Sequence, residues 1–502
     1  MKQSSPSVGI SGFAAYLPPY RVRLEDWCRW TGESWPKVDA VVGNAFRMRG
    51  PAENAYTMAA TAVLRLITHH RVDPGSVGFF GLGTETSTDN SAGAIIVKGM
   101  VNDALAILGR PLLSRRCEVP EFKHACLGGV YAMKAAARYL ALDGGDRNAI
   151  VVCSDIAEYP RGSSGEPTQG AGAVAMLMQR PPRMLELELD ACGSASDYRG
   201  PDFRKPFARF SAQPLSATGQ VRDFPVFNGR YSTTCYVDEM LVAVEDMFGK
   251  LAERGSAVLR NAAAVFLHRP YQRMAETGLA AGLLYALATG DPDDRTTLLH
   301  YARDAAVDPA LLEAELTSHP NVYARVREAG YEEEAFPLTM RVLRTLRDGT
   351  DYRELVLDKL RLGDAAMREC GNLYTASLPA WLAAGLEEAA TRCVPLAGQR
   401  IVTLGYGSGD AAEAMPLRLV EGWEEAAGRL GFMQAWADPI DLDQHGYETL
   451  HDSGSLSEAV SPRPGTFVID RVGGREAQLD DAWIEHYRYV TGKDQPARGE
   501  PS

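Results

Sequence analysis

Short apolar runs alternate with longer helical stretches along most of this chain. Runs such as Ser76–Leu82 are rich in valine, leucine and phenylalanine and too short for typical helices, whereas Val130–Leu142 is rich in alanine and leucine. Apolar strands without polar alternation are typical of a sheet that is buried on both faces. The pattern therefore predicts an α/β protein in which helices cover a buried sheet.

Four of the predicted strands end in polar or glycine-rich loops. The strands and their loops are Ser76–Leu82 with Gly83–Thr86, Ala149–Cys153 with Ser154–Asp155, Ala262–Leu267 with His268–Pro270, and Arg400–Leu404 with Gly405–Gly409. Ligands of open α/β sheets bind outside the carboxyl ends of the strands. We therefore expect the polar residues of these loops to gather at one edge of the protein.

The segment from Gly290 to Cys370 differs from its surroundings. It is charged and rich in leucine, glutamate and arginine, and stretches such as Pro309–Thr317 and Asp351–Lys359 have the pattern of amphipathic helices. A solvated helical cover is the ordinary interpretation of such a segment. We expect a helical elaboration there.

Composition narrows the class of protein. The formal net charge of −13 argues against a general polyanion binder, although a local basic patch can still bind one phosphate-bearing ligand. Met1–Pro6 lacks the apolar core of a secretory leader, and the longest apolar stretch, Gly278–Thr289, is too short to span a bilayer. The 8 cysteines form no C-x-x-C pair, which favours reduced thiols and a cytoplasmic location.

One cysteine lies in a position suited to catalysis. Cys126 lies in His124–Gly129, the segment directly before the predicted helix Val130–Leu142. The partial positive charge and free N–H groups of a helix N-terminus lower a thiol pKa and can hold an oxyanion. A buried structural cysteine is the common alternative.

A carboxylate and an imidazole follow two of the strands. Glu85 stands at the mouth of the first strand, where burial raises a carboxyl pKa into a range useful for proton exchange. His268 ends the third strand. The alternatives are a surface glutamate and a hydrogen-bonded core histidine.

Two further segments offer polar groups but are weaker signals. Gly371–Ser377 opens a predicted helix with polar residues at its start, which suits the orientation of a substrate carbonyl. The glycine turn around Ser408 has the form of an oxyanion or phosphate cradle, yet an isolated Gly-x-Gly is unspecific.

Taken in order from Gly9 to about Gly431, these segments resemble the 3-hydroxy-3-methylglutaryl-coenzyme A synthases, members of the thiolase superfamily. The matching stretches are Gly83–Thr86, Ala125–Gly129, Ser154–Tyr159, Gly170–Ala175, Asn228–Tyr236, His268–Tyr271, Gly371–Ser377 and Tyr406–Gly409. So many motifs in the same order are far more specific than any single one.

The resemblance implies a division of chemical roles. Cys126 would take an acetyl group from acetyl-CoA, and Glu85 would remove a methyl proton so that an enolate attacks a β-keto carbonyl. His268 and Asn372 would bind the acceptor, a β-ketoacyl thioester such as acetoacetyl-CoA. A thioester intermediate divides a difficult condensation into easier steps.

The resemblance also implies pocket and coenzyme residues. Backbone amides at Cys126 and Ser408 would form the oxyanion hole, Tyr159 and Tyr374 would line the pocket, and Arg273 would bind the coenzyme phosphates. Two departures concern the substrate: Leu127 replaces a frequent tyrosine, and Asp410 stands where a small or apolar residue is expected.

The fold that follows is the thiolase fold, five-layered α-β-α-β-α and built from two similar halves. The first half, residues 1–183, would carry Glu85 and Cys126. The second, residues 184–502, would carry His268, Asn372 and Ser408, with a helical insertion at about 290–370. The resemblance also implies a homodimer without metal or cofactor, since CoA thioesters are the substrates.

Three rival hypotheses remain open. An acyl carrier protein can replace CoA as the carrier of the acceptor in polyketide pathways, and basic residues near the tunnel mouth suit either partner: Arg204, Lys205, Arg269 and Arg273. A decarboxylating ketoacyl synthase is disfavoured because it needs no carboxylate base such as Glu85. A catalytically silent binding paralogue is disfavoured by the complete set of Glu85, Cys126 and His268.

Overall fold

A computed structural model describes residues 7–86, 92–200, 202, 204–205, 224–226, 228–331, 333–474, 481 and 484–492. The segment Met1–Pro6, which lacks the pattern of a secretory leader, lies outside the described residues.

The strands are β1 (Gly9–Tyr16), β2 (Tyr20–Arg23), β3 (Ala45–Met48), β4 (Val77–Gly83), β5 (Glu121–Phe122), β6 (Asn148–Ala157), β7 (Gly170–Gln179), β8 (Leu185–Leu187), β9 (Gly193–Ser196), β10 (Val265–Leu267), β11 (Arg400–Gly407), β12 (Ala411–Leu419), β13 (Ile440–Asp441), β14 (Phe467–Val472) and β15 (Glu485–Tyr489). The helices before residue 300 begin with α1 (Leu24–Thr31), α2 (Trp35–Val41), α3 (Ala55–His69), α4 (Gly93–Ile107), α5 (Gly128–Leu142), α6 (Gly229–Lys250), α7 (Gly255–Asn261), α8 (Gln272–Ala288) and α9 (Pro292–Asp304). The later helices are α10 (Pro309–Thr317), α11 (Val322–Ala329), α12 (Pro337–Leu346), α13 (Thr350–Tyr352), α14 (Asp364–Met367), α15 (Ser377–Thr391), α16 (Trp423–Ala427), α17 (Phe432–Trp436) and α18 (Gln444–Ser453).

Two sets of strands join into one 10-stranded sheet in the order β10-β11-β12-β8-β1-β7-β6-β4-β5, with β9 paired to β12. The short strand β8 pairs antiparallel with both β1 and β12 and so connects the two sets. Within each set a parallel pair, β4 with β6 and β10 with β11, brings two carboxyl ends to the same edge.

Alternating side chains divide the first set of strands between two cores. In β1, Ala14 and Tyr16 belong to the core under α3 and α4, whereas Phe13 and Ala15 belong to the core that contains α5. Such alternation follows from the pleat, which sends successive side chains to opposite faces. The first strands are therefore buried on both sides, as their unbroken apolar runs predict.

Helices α5 and α15 lie between the two sets of strands. A Cβ built at Gly405 of β11 would lie 2.9 Å from Val130 of α5, and Trp381 of α15 packs edge-on against Phe266 of β10. Helix α6 packs on β9 and β12, and α8 packs on α6. The order of helices, strands, α5 with α15, strands and α6 with α8 is the five-layered arrangement of the thiolase fold, which confirms the predicted fold class.

The segment at 290–370 folds as a series of short helices, from α9 to α14. Helix α10 begins at Pro309 and ends at Thr317, as the pattern predicts, because Asp308 caps it by accepting from the N–H groups of Ala310 and Leu311. The stretch predicted as a helix at Asp351–Lys359 differs in form: α13 passes into a π-helical turn at Arg353–Leu357.

The C-terminal residues return to the first half of the chain. Strand β13 pairs with β2, and the hairpin of β14 and β15 packs on α3 and α4. These strands lie within residues 184–502, the range expected to form the second half, and pair with or pack on elements of the first half.

None of the described helices combines the length and the apolar character needed to cross a membrane. The apolar stretch Gly278–Thr289 lies largely in α8, whose side chains from Met274 to Ala288 are buried in the core.

Candidate active site

Cys126 occupies a tight turn immediately before α5. The residue before it, Ala125, has a φ of 40°, a left-handed conformation that is uncommon for a residue with a side chain. The N–H of Leu127 donates to the carbonyl of His124 at 2.9 Å and closes the turn. Strain of this kind persists where the surrounding structure enforces it, often at functional sites.

The thiol of Cys126 is buried in a small cluster with Ala157, Tyr159 and Tyr374, and only 7% of the residue is exposed. Burial raises the pKa of the Cys126 thiol, and the nearby Asp155 and Glu85 carboxylates raise it further. The expected lowering at a helix start is therefore wrong in direction. The N–H of Cys126 itself does lower the pKa, but desolvation outweighs it.

Glu85 follows β4 and reaches the same place. Its N–H donates to Asp155 Oδ1 at 2.7 Å, and Lys205 Nζ donates to its carbonyl oxygen at 3.4 Å. The charges of both Glu85 and Lys205 act on the Cys126 thiol, in opposite directions. The structure thus brings Glu85 and Cys126 together, as the resemblance predicts.

Asp155 is a residue of this site to which the sequence analysis assigned no role. Its Oδ1 accepts hydrogen bonds from the hydroxyls of Thr84 and Thr86, at 3.0 and 2.8 Å, as well as from backbone N–H groups. Its Oδ2 accepts from the N–H and hydroxyl of Thr375, at 2.9 and 2.5 Å. Burial raises the pKa of Asp155. One buried carboxyl therefore ties the Glu85 loop to the second half of the chain.

Ser408 lies beside the Cys126 turn because β11 approaches it very closely. A Cβ built at Gly407 would lie 2.5 Å from the carbonyl oxygen of His124 and 2.9 Å from the N atom of Leu127. Only glycine permits this approach. The half-buried Ser408 follows directly, so its backbone lies beside the Cys126 turn.

His268 lies at the carboxyl end of β10, next to β11. Its N–H donates to the carbonyl of Leu404 at 2.7 Å, and Tyr236 donates its hydroxyl to the His268 carbonyl at 3.0 Å. The imidazole stacks on Tyr406, with ring centroids 6.3 Å apart. Burial lowers the pKa of His268 to about 3, so the ring is neutral and offers one donor and one acceptor nitrogen.

Asn372 has a side chain of defined orientation. Its Oδ1 accepts from the N–H of Tyr374 at 2.9 Å and from the hydroxyl of Ser377 at 3.2 Å. Because a backbone N–H can only donate, the Asn372 oxygen must face it and the amide NH₂ remains a donor. Burial also raises the pKa of Tyr159 and Tyr374, whose hydroxyls therefore stay neutral.

Arg273 is not part of this group. Its guanidinium donates to the carbonyl of Ala40 at 2.9 Å and lies 3.4 Å from the Glu276 carboxylate, near the start of α8. The neighbouring Arg269 is buried, pairs with Asp364 at 2.6 Å and lies over the ring of Trp381. Both cations are thus engaged within the chain.

Among the described residues, Asp202, Cys235 and Asp410 have metal-binding atoms within 4.8 Å of one another. The guanidinium of Arg199 lies 3.9 Å from Asp410 and already supplies positive charge there. We therefore treat the three residues as part of a charge network.

The five-layered fold with a cysteine before its central helix defines a protein of the thiolase superfamily. The family model described as "Hydroxymethylglutaryl-coenzyme A synthase N terminal" matches residues 4–182, and its C-terminal counterpart matches residues 354–436. The chain belongs to the hydroxymethylglutaryl-CoA synthase family, which confirms the relationship inferred from the motifs.

Relatives from distant organisms match over most of the chain. Hydroxymethylglutaryl-CoA synthase A of Dictyostelium discoideum is 27% identical, covering 96% of this chain and 90% of its own. Hydroxymethylglutaryl-CoA synthase of Enterococcus faecalis is 26% identical over 83% of this chain and 84% of its own.

Two solved structures are similar to this chain over nearly its whole length. "MvaS in complex with 3-hydroxy-3-methylglutaryl coenzyme A" has a TM-score of 0.75 and 27% identity, covering 97% of this chain and 100% of that one. The HMG synthase of the curacin biosynthetic pathway, in complex with acetyl donor-ACP, has a TM-score of 0.67 at 17% identity and covers 96% of this chain and 100% of its own. The latter shares the fold.

Proposed function

We propose that the protein condenses an acetyl group held on Cys126 with a β-ketoacyl thioester, acetoacetyl-CoA, to give a 3-hydroxy-3-methylglutaryl thioester. The observation that carries this proposal is the convergence of Glu85 and Cys126, with Asp155 fixing the glutamate loop. A carboxylate beside a thioester-forming thiol is what proton removal from an acetyl-enzyme requires. The relatives named hydroxymethylglutaryl-CoA synthase support the same activity.

In the first step, the Cys126 sulfur attacks the acetyl carbonyl, and CoA leaves as a thiol with the proton of Cys126. The raised thiol pKa bears on this step, because the buried site disfavours a resting thiolate. A thioester carries no charge and is therefore well suited to the same surroundings. The site favours the acetylated enzyme over the free thiolate.

In the second step, Glu85 removes a proton from the acetyl methyl group. The negative charge moves to the acetyl oxygen, where the N–H groups of Cys126 and Ser408 stabilise it. The methyl carbon then attacks the ketone of the acceptor, whose oxygen takes up a proton. Water finally hydrolyses the thioester and restores the Cys126 thiol.

His268 and Asn372 act on the acceptor. A neutral imidazole donates one hydrogen bond without carrying charge into the site, and the NH₂ of Asn372, one N–H of which is engaged by the hydroxyl of Tyr159, has a second N–H to donate. Both donors polarise the ketone, on which negative charge develops during attack.

The test is a single-turnover experiment with intact-protein mass measurement. Acetyl-CoA alone should leave one acetyl group, which peptide mapping places on Cys126, and addition of acetoacetyl-CoA should discharge it with formation of product. Cys28→Ser, a change at a buried thiol in α1, is the matched control. No adduct on the unmodified protein, or an adduct that persists in Cys126→Ser, contradicts the proposal.

An acyl carrier protein as the carrier of the acceptor is the second candidate. Arg204 is exposed next to Lys205, which contacts the Glu85 loop, so a cation is accessible near the site. The net charge of −13 opposes the approach of an acidic carrier. Acetoacetyl-CoA and acetoacetyl-acyl carrier protein should therefore be compared as acceptors, and a preference for CoA in kcat/KM is expected.

We further propose that two copies of the chain form a dimer through the edge strand β5. Unpaired strand edges invite pairing with another chain. Before β5 lie the exposed apolar side chains of Ile107, Leu108 and Leu112. Light scattering coupled to gel filtration should give the mass of a dimer, and Leu108→Lys should shift it toward the monomer.

We also propose a cytoplasmic location. All 8 cysteines are free, and a reduced compartment keeps them so. Fractionation of cells that produce the protein at native level checks this proposal, and recovery with secreted proteins contradicts it.

A further inference from the structure

Asp410 binds the tyrosine that stacks on His268, although the family pattern favours a small or apolar residue at its position. Asp410 Oδ1 accepts the hydroxyl of Tyr406 at 2.8 Å. The ring of Tyr406 stacks on the imidazole of His268, and Tyr236 packs edge-on against Tyr406 at 5.0 Å. The Asp410 carboxyl thus fixes the aromatic ring against which the imidazole lies.

A second buried carboxyl lies close to Asp410. Asp202 Oδ1 accepts a hydrogen bond from the hydroxyl of Ser232 at 2.5 Å. One carboxylate oxygen of Asp202 lies within 4.8 Å of one carboxylate oxygen of Asp410. Both residues are only 3% exposed. In the described part of the chain, the Oδ2 atom of each has no hydrogen-bond partner. Two carboxyls at this distance and depth do not both ionise readily, and protonation of one of them removes the conflict.

Positive charge near the pair is scarce. The NH2 group of Arg199 pairs with the carboxylates of Asp238 and Glu239 on α6. The Nε atom of Arg199 lies 3.9 Å from Asp410 Oδ2. The guanidinium of Arg199 therefore faces four buried carboxyls, which belong to Asp202, Asp238, Glu239 and Asp410.

The other titratable groups that face Asp410 add no cation. Cys235 comes from α6 and Tyr406 from β11, and burial raises the pKa of both, so they are neutral. Burial raises the pKa of Asp202 to about 6 and that of Asp410 to about 7, and the Asp202 carboxylate contributes to the latter.

We propose that Asp410 is a positioning residue of the acceptor site: beside the buried carboxyl of Asp202, it holds the hydroxyl of Tyr406 and so fixes the ring of His268. The proposal rests on the role of His268 in the proposed function. Asp410 itself touches neither the thiol nor the acceptor; it acts through Tyr406.

The titration of this carboxyl pair makes both the geometry and the stability depend on pH. The folded-state pKa values of Asp202 and Asp410 lie above the unfolded value, so the folded protein binds more protons between about pH 4 and pH 7. The stability present below this range is lost as the pH rises through it. Above about pH 7 both carboxyls are charged, and their mutual repulsion acts on the carboxylate that accepts the Tyr406 hydroxyl.

Two substitutions at Asp410 separate positioning from simple packing. Asp410→Asn keeps an oxygen for Tyr406 but cannot ionise; it should keep the acceptor KM within about threefold and reduce the loss of stability between pH 4 and pH 7 to the part that Asp202 contributes. Asp410→Leu removes the acceptor of the Tyr406 hydroxyl and should raise the acceptor KM about tenfold, while acetylation of Cys126 continues at the original rate. Asp197→Asn, at a partly exposed partner of Arg199, is the control and should change neither.

The ring of His268 is followed independently of turnover by NMR of protein labelled with ¹³Cε1-histidine, with the signal assigned through His268→Asn. In the unmodified protein this signal should shift as the pH passes through 6 to 7, and in Asp410→Asn it should not. If the signal has the same pH profile in both proteins, or if Asp410→Leu retains the acceptor KM, the proposal is wrong. Failure of Cys126 acetylation together with the expected NMR shifts would instead reject the proposed function and leave the Asp410 link in place.

Discussion

The two carboxyl clusters of this protein differ in how they are satisfied. Both carboxylate oxygens of Asp155, in the first half, accept hydrogen bonds. The donors belong to residues 84–86, which follow β4, and to Thr375. Asp202 and Asp410, in the second half, each keep one oxygen without a partner among the described residues. Hydrogen bonds to Asp155 therefore fix the side of the site that carries the thiol. The side that binds the acceptor depends instead on the protonation of Asp202 and Asp410, which changes with pH.

The first way to test this comparison is to remove the base. Glu85→Gln should still accept an acetyl group on Cys126 but should condense about 10²–10⁴-fold more slowly, because general-base catalysis is lost. Rapid-quench measurement of acetylation and of product formation distinguishes the two steps. Condensation near the original rate would mean that another group removes the proton.

A smaller effect is expected on the acceptor side. His268→Ala removes one donor to the developing alkoxide and should lower kcat/KM for the acceptor about 10²–10³-fold. This loss corresponds to about 2.7–4 kcal/mol of transition-state stabilisation. Acetylation of Cys126 should be unaffected. If acetylation collapses and acceptor affinity remains, His268 activates the thiol and the roles given above are reversed.

The strand-end loops were largely predictable, because local sequence determines them. Glu85, His268 and Ser408 follow apolar runs, and the position of the carboxyl ends in an α/β sheet follows from topology. The rise in the pKa of the Cys126 thiol could not be predicted in the same way. It results from burial among residues that are distant in the chain, such as Tyr159 and Tyr374.

The role of Asp155 and the position of the C-terminal strands escaped the sequence for a related reason. Asp155 binds Thr375, which is 220 residues away in the chain. Strand β13 pairs with β2 from the opposite end of the sequence. Contacts of this kind have no local signal, although a polar pair at the end of β6 marked Asp155 as a position of interest.

The fixed character of the thiol side can be tested through stability. Asp155→Asn places an NH₂ group against donors that now point at a carboxylate, and leaving buried donors unsatisfied should cost about 1–3 kcal/mol. Urea unfolding at pH 7.5 gives the free energy of unfolding. Thr86→Val removes one hydroxyl that donates to Asp155 and accepts from the Ile156 N–H, and it should cost less. Equal losses in both variants would show that Asp155 has no special role there.

The smallest effect is expected at the coenzyme end. Arg273 is engaged by the Ala40 carbonyl and by Glu276, so Arg273→Ala should raise the KM for acetyl-CoA by only about threefold and leave kcat unchanged. Steady-state kinetics at two salt concentrations check this. A rise of about a hundredfold, equivalent to about 2.7 kcal/mol, would mean that the guanidinium leaves these partners to bind phosphate.

The central claim is that the first half makes the carbanion and the second half presents the acceptor. It is tested most directly by exchange of the acetyl methyl protons in D₂O, with acetyl-CoA and without acceptor, followed by mass measurement of the acetyl group on Cys126. The unmodified protein and His268→Ala should both incorporate deuterium, and Glu85→Gln should not. Deuterium in Glu85→Gln, or its absence from His268→Ala, would contradict the division of labour between the two halves.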